Sequence, residues 1–359
     1  MTVSIPRSVE EITPQWFEEI VFPNSGFPHL SRITKTNVGE GRGFLSQTFK
    51  VGLQFEDTES NTAPKSVIVK LQPTSGLYQA TANELHAFLR EVSFYRDVAP
   101  TAPLRLPEIY FADATAGAGA LVMEDLGSLA SGDQILGIEH SQAVTTAREI
   151  AKIHAAYWNS PKLENLDWAP ARDHFNSDHY AEYWPKFAKA HGTVIGAEAL
   201  SIGAKVAKNI DWLEEKIASR PRSIIHGDLR ADNLMFSRET GGNEVVILDW
   251  QLVTKNLGTI DIARLLGGSE PILQRQGHQM EIVHAWYDSL VESGVTDYSR
   301  SEAEDDFRLG ILHCLLVPVR IFSTGKGAIS GRRQQLLDTI ISRFFSAALE
   351  LNAGSVFPD

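Results

Sequence analysis

Gln47 to Phe55 alternates strictly, with Phe49, Val51, Leu53 and Phe55 apolar and Lys50, Gly52 and Gln54 between them. A period of two places every apolar side chain on one face of an extended chain, so the segment predicts a half-buried strand. Two more strand signals flank it. Ser31 to Val38 comes before, across the glycine-rich stretch Gly39 to Ser46. The β-branched run Ser66 to Leu71 comes after, across the polar turn Asp57 to Pro64. Leu85, Phe88, Leu89, Val92 and Tyr95 then share one helical stripe, which predicts a helix over Asn83 to Val98 ended by Pro100. Ile109 to Ala112 and Ala120 to Glu124 read as two further strands, giving a sheet of about five. A short helix over Pro14 to Phe22 leads the chain.

After Gly127 the pattern changes to the helical period. Ser141 to Trp158, Ser177 to Ala190 and Glu198 to Ser219 read as helices. Asn233 to Phe236 and Val245 to Leu248 read as a hairpin around Glu239 to Asn243. Helices follow over Ile260 to Leu266, His278 to Ser293, Ser301 to Phe322 and Arg332 to Asn352. The expected architecture is α+β in two lobes: a small β-rich lobe over 1–125 and a large α-helical lobe over 126–359.

Charge and cysteine content narrow the function classes. Lys plus Arg number 33 against 45 Asp plus Glu, a formal net charge of -12. That balance repels phosphate backbones and anionic lipid, so neither nucleic acid nor a membrane surface is an expected partner. The single cysteine, Cys314, lies in the apolar run Ile311 to Leu316. It can form no internal disulfide and no cysteine-rich zinc site, and a buried structural thiol is expected. Met1 to Ile20 has acids and proline where a signal peptide has a basic start and an apolar core, and no window reaches the ~18 apolar residues of a membrane span. A cytoplasmic protein is expected. His174 and His179 are five apart, and His278 and His284 six apart. Neither spacing puts two ligands on one helical face, so these read as ordinary polar or packed histidines. The aromatic stretch Tyr180 to Pro185 reads as core more readily than as a pocket wall.

The chemistry-bearing segment is His226-Gly227-Asp228-Leu229-Arg230-Ala231-Asp232-Asn233, followed by Val245 to Gln251. Asp228 can accept the proton of an attacking hydroxyl. Asn233, five residues on, and Asp249, ending an apolar strand, can hold Mg²⁺ against nucleotide phosphates. The hairpin between them is expected to bring Asn233 and Asp249 side by side. Lys70 ends the strand Val67-Ile68-Val69 as the phosphate-pairing lysine of a kinase does.

His-Gly-Asp, an Asn five residues later and an Asp closing an apolar strand resemble the aminoglycoside phosphotransferase and choline kinase group. The triplet Asp249-Trp250-Gln251 is similar to the ecdysteroid-kinase-like branch of that group. The resemblance runs from about Thr34 to Leu266. It implies a protein-kinase-like two-lobed fold, use of ATP with Mg²⁺, and transfer of phosphate to a hydroxyl. Carried onto this chain, it implies that Lys70 pairs with the phosphates and Glu91, rather than Glu84, orients it, since Arg90-Glu91-Val92-Ser93-Phe94-Tyr95 matches the group's pattern. It implies that Gly39, Gly41 and Ser46 cover the phosphates, although the stretch departs from G-x-G-x-x-G. Backbone groups near Glu124 and Leu126 would meet the adenine edge, His226 would pack beneath the loop, and Asp261 would brace it.

Protein kinases dock their substrates on a segment running to Ala-Pro-Glu. Here only a short stretch separates Asp249 from Asp261, and a helical insertion fills 127–226. The expected acceptor is therefore a small-molecule alcohol. An atypical protein kinase and a non-catalytic nucleotide-binding scaffold of the same fold are the alternatives.

Overall fold

The alternation at Gln47 to Phe55 folds as a strand over those same residues, with Phe49, Val51, Leu53 and Phe55 all buried. A computed structural model describes residues 5–38, 46–56, 62–73, 79–115, 117–171, 177–239, 241–324 and 331–358. They divide into two compact units, residues 1–101, 105–129 and 248–252 in the first, and 102–104, 130–247 and 253–359 in the second.

In the first unit, α1 (Pro14–Trp16) runs on into a π-helical turn over Phe17–Val21. The Thr13 hydroxyl caps α1 by accepting the Trp16 N–H at 3.1 Å. The strands β1 (Leu30–Asn37), β2 (Gln47–Phe55), β3 (Ser66–Leu71), β4 (Ile109–Thr115) and β5 (Ala118–Glu124) form one antiparallel sheet in the order β1-β2-β3-β5-β4. Its buried face carries Val51, Val67, Val69 and Val122, which pack with Ile12, Phe17 and Val21 of the leading segment. Each fully buried side chain of this kind contributes about 1.5–3 kcal/mol. The predicted helix over Asn83 to Val98 is two helices, α2 (Gln79–Glu84) and α3 (Ala87–Asp97), separated where His86 takes a left-handed φ of 48°. Gly119 on β5 lets α3 approach closely, since a Cβ there would lie 2.3 Å from the Phe88 ring.

Leu248–Leu252, placed by sequence order with the helical lobe, packs in the first unit. The reason is a flat stack: the Trp250 and Phe94 rings lie 3.9 Å apart at 7°, with both side chains buried.

The second unit holds α4 (His140–Ala156), α5 (Ser177–Ile195), α6 (Ala197–Lys208) and α7 (Ile210–Ala218), then α8 (Thr259–Ser269), α9 (Ile272–Arg275), α10 (Glu281–Glu292), α11 (Arg300–Cys314), α12 (Leu316–Thr324) and α13 (Gly331–Glu350). Short strands β6 (Ala130–Ser131), β7 (Ser223–Ile225), β8 (Leu234–Phe236), β9 (Val245–Ile247) and β10 (Thr254–Asn256) form two small antiparallel sheets, β6-β8-β9 and β10-β7. The sequence pattern missed β6, β10 and α9, which are too short for a period to register. Helix α8 is buried along its whole length, against α10, α11 and α13. It admits those neighbours through glycine contacts: a Cβ on Gly267 would lie 2.3 Å from Phe344, and one on Gly310 would lie 2.8 Å from the Thr259 carbonyl. Cys314 is buried, its thiol donating to the Ile260 carbonyl at 3.8 Å.

Candidate functional site

In the first unit, Lys70 stands on β3, one residue out of phase with the inward Val67, Val69 and Leu71. Its ammonium donates to Glu91 Oε1 at 2.6 Å and to Asp249 Oδ1 at 2.9 Å. Of the two glutamates in the predicted helix, Glu91 is the one that reaches it. Glu91 is completely buried, and its second oxygen accepts from Gln251 Nε2 at 3.2 Å. The Gln251 amide also donates to the Ser46 hydroxyl at 3.5 Å. A buried carboxylate without such partners is strongly destabilising, so this arrangement requires the ammonium. Burial works against charge on Lys70, yet Asp249 and Glu91 outweigh it and hold the ammonium well above the usual lysine range. Burial pushes the Glu91 carboxyl up, and the Lys70 ammonium pulls against it. Asp249 takes a left-handed φ of 67°, uncommon for a residue with a side chain.

At the end of β5, the Glu124 carboxylate takes both its short contacts from Arg105 Nη2, at 2.7 Å each, and the Glu124 N–H donates to the Glu108 carbonyl at 2.8 Å. The Leu126 carbonyl accepts the Leu129 N–H at 2.9 Å. Asp125 between them is the fixed point, held by Lys50 Nζ at 2.6 Å, the Ser66 hydroxyl at 2.5 Å and the Gly127 N–H at 3.0 Å. Gly39 and Gly41 lie outside the described residues.

In the second unit, the loop between β7 and β8 carries Asp228 and Asn233. Asp261 of α8 accepts the backbone N–H of His226 at 2.6 Å and of Gly227 at 2.9 Å. Gly227 turns the chain at φ 79°, which favours glycine. The His226 imidazole, fully buried, accepts the Asp228 N–H on Nδ1 at 3.2 Å. The brace itself is tied back. Trp286 Nε1, which can only donate, reaches His154 Nδ1 at 2.9 Å, so the other His154 nitrogen carries the proton towards Asp261 Oδ2, 3.3 Å away. The Asp228 carboxylate is gripped from two sides. Oδ1 accepts from Arg264 Nη2 at 2.6 Å and Nε at 3.2 Å, and Oδ2 accepts from Arg230 Nε at 2.9 Å. Burial raises the carboxyl, but Arg230 and Arg264 outweigh it and hold it well below the usual carboxylate range. Asn233 donates through Nδ2 to the Asp228 carbonyl at 2.9 Å, which leaves its amide oxygen as an acceptor. Arg230 is itself held by Asp232 at 2.6 Å and Gln134 at 3.0 Å.

The other singled-out residues are structural. Tyr180 and Trp184 are core, His278 pairs with Glu281 at 2.7 Å, and His284 pairs with Glu304 at 2.8 Å. His174 lies outside the described residues.

A family model, ecdysteroid kinase-like, matches residues 40–295. The chain belongs to that family. The ecdysteroid kinase-like chain is 22% identical over 334 residues to an uncharacterized kinase-like protein of Caenorhabditis elegans, D1044.1, covering 85% of this chain and 84% of the other. Its fold is similar to that of a protein of Ralstonia eutropha JMP134 assigned as an aminoglycoside phosphotransferase. The TM-score is 0.51 at 16% identity, with 89% of this chain and 95% of the other covered. It is similar also to an ethanolamine kinase of Plasmodium vivax, with TM-score 0.51, 11% identity and coverage of 88% and 82%. The fold is thus the α+β two-lobed kinase-like one.

Two residues at these centres, Arg230 and Arg264, went unread in the sequence, and Trp250 and Gln251 were read only as part of the triplet that carries the family resemblance. Arg264 had a usable signal, because it lies three residues after Asp261 on one helix and so shares its face.

Proposed function

We propose that the protein is a phosphotransferase that moves the γ-phosphate of ATP to a hydroxyl of a small molecule. The observation that carries this reading is the Lys70 ammonium held by Glu91 at 2.6 Å and Asp249 at 2.9 Å. Such a fixed cation is what the α- and β-phosphates of a nucleotide require. Ser46, Gly39 and Gly41 would cover the phosphates, and backbone groups at Glu124 and Leu126 would meet the adenine. Asp228 accepts the hydrogen bond of the acceptor's hydroxyl and takes its proton. A carboxylate held so far towards its ionised form is a weak base. That suits a loose transfer, in which positioning matters more than early proton removal.

The donor set fits Mg²⁺. Lys70 takes one oxygen of Asp249 and leaves the other, and the Asn233 amide keeps its oxygen free of its own donor contact. Hard oxygen donors from one carboxylate and one amide, completed by phosphates and water, match this cation. Asn233 and Asp249 would hold it, and when bound it would neutralise the phosphate charge. The acceptor is a small-molecule alcohol, a class consistent with the kinases of amino alcohols and aminoglycosides whose fold this chain shares. ATP supply agrees with a cytoplasmic protein, and no described helix is long and apolar enough to cross a membrane.

Thermal melting with and without Mg²⁺-ATP tests the nucleotide site. Ligand at a hundredfold excess over its dissociation constant adds about 2.7 kcal/mol, a rise of about 4 °C for a chain of this size. Asp249→Ala is expected to lose the part of that rise that depends on Mg²⁺. No rise with ATP or GTP would count against the reading.

A further inference from the structure

Helix α8 holds the Asp228 loop at three separate points. Asp261 takes the N–H groups of His226 and Gly227, Arg264 takes the carboxylate of Asp228, and the Ser269 hydroxyl accepts the Ala231 N–H at 2.8 Å. The first and last of these fix backbone. Only Arg264 fixes the side chain that the proposed chemistry uses.

Arg264 is an expensive residue to keep where it is. It is 8% exposed, and both of its bonding nitrogens, Nε and Nη2, go to a single oxygen of Asp228. Its third nitrogen, Nη1, is buried with no hydrogen-bond partner among the described residues. A guanidinium retained only for stability would spread its donors over several acceptors, as Arg275 does with Glu350, Leu266 and Arg343. Its plane is set by packing, for its guanidinium carbon lies 5.8 Å from the centre of the Phe344 ring, and Phe344 seats against Gly267 of α8. Arg230, by contrast, divides its donors between Asp228, Asp232 and Gln134.

We propose that Arg264 is a positioning residue for phosphoryl transfer: it locks Oδ1 of Asp228, so that one orientation of the carboxylate is presented to the acceptor's hydroxyl. This rests on the reading above, in which Asp228 receives the hydroxyl proton. Arg230 then restrains Oδ2 through a single nitrogen and keeps other partners when that oxygen is engaged by a hydroxyl.

The test measures ADP release from Mg²⁺-ATP against a panel of amino alcohols, aminoglycosides and sterols, for the whole chain and for Arg264→Ala and Arg264→Lys. Arg264→Ala is expected to lower kcat about 10²-fold while leaving the KM for ATP within about twofold, because orientation of the reacting group is lost and nucleotide binding is not. Millimolar guanidinium is expected to recover part of the lost kcat, which a merely structural role would not allow. Arg264→Lys keeps the cation but not the two-nitrogen grip. It is expected to lose about tenfold in kcat, and it carries the test if the alanine variant does not fold. A wild type that turns over, with an Arg264→Lys kcat within about twofold of it, overturns the proposal alone. So does a rise in the KM for ATP with kcat unchanged. A wild type that releases no ADP with any acceptor overturns the phosphotransfer reading and the proposal with it.

Discussion

The two charged centres are inverses of each other. In the first unit one cation, Lys70, sits between two carboxylates, Glu91 and Asp249. In the second, one carboxylate, Asp228, sits between two guanidinium groups, those of Arg264 and Arg230. The difference lies in redundancy. Remove Lys70 and a fully buried Glu91 has lost the one cation paired with it among the described residues. Remove Arg264 and Asp228 still has Arg230. The first centre also carries spare negative charge for a metal to neutralise, whereas the second is compensated by protein groups and needs nothing further to remain ionised.

That asymmetry predicts an order of stability effects. Lys70→Met is expected to destabilise the fold by about 3–5 kcal/mol, the usual consequence of stranding one partner of a buried ion pair. Denaturant melts would show it. The double variant Lys70→Met/Glu91→Gln is expected to recover much of the loss, since the fully buried carboxylate is then neutral and the one left without Lys70, Asp249, is partly exposed. Arg264→Met breaks hydrogen bonds to a charge that keeps a second cation, so about 1.5–3 kcal/mol is expected. Equal losses for the two single variants would break the comparison.

The smallest expected effect sharpens it. The folded-state pKa of Asp228 is depressed, so its contribution is fully present above the unfolded carboxylate value, about 3.9. That of Lys70 is raised, so its contribution is fully present below about 10.4. Neither gives stability a slope near neutral pH. His140 does. Burial lowers its pKa, but its contacts with Glu270 at 2.6 Å and Glu281 at 3.1 Å outweigh this and raise it. A raised imidazole stabilises below the unfolded value of about 6.5, and that contribution is lost as pH climbs through the folded-state value. Melting of His140→Gln is expected to fall below wild type at about pH 6 and to converge with it at about pH 9. A gap that stays constant would remove His140 as the source.

The sequence was most legible where a local pattern decides the outcome. The boundaries of β2 and β3 follow from alternation and β-branching within a few residues. Asp228 and Asn233 could be singled out as candidates because the proposed chemistry needs them at a fixed spacing, and the fold sets both on the loop between β7 and β8. Lys70 was readable as a strand-end lysine, but its partnership with Glu91 needed a resemblance to separate Glu91 from Glu84. What was not legible depends on long-range packing. The Phe94–Trp250 stack joins residues 156 positions apart, and no period predicts that Leu248–Leu252 leaves the helical unit to meet it. The break at His86 is a single left-handed residue inside an otherwise continuous helical stripe. Arg230 and Arg264 drew no reading from the sequence, because their role depends on the carboxylate that the fold places between them.

The central claim is that Asp228 receives the proton of an acceptor hydroxyl while the nucleotide is held elsewhere. The direct measurement is ADP release by wild type and Asp228→Asn, with Mg²⁺-ATP and a panel of small-molecule alcohols, alongside ATP binding by calorimetry. Turnover is expected to fall by about 10²–10⁴-fold in the variant, with ATP affinity unchanged. An Asp228→Asn protein that turns over at the wild-type rate would contradict it.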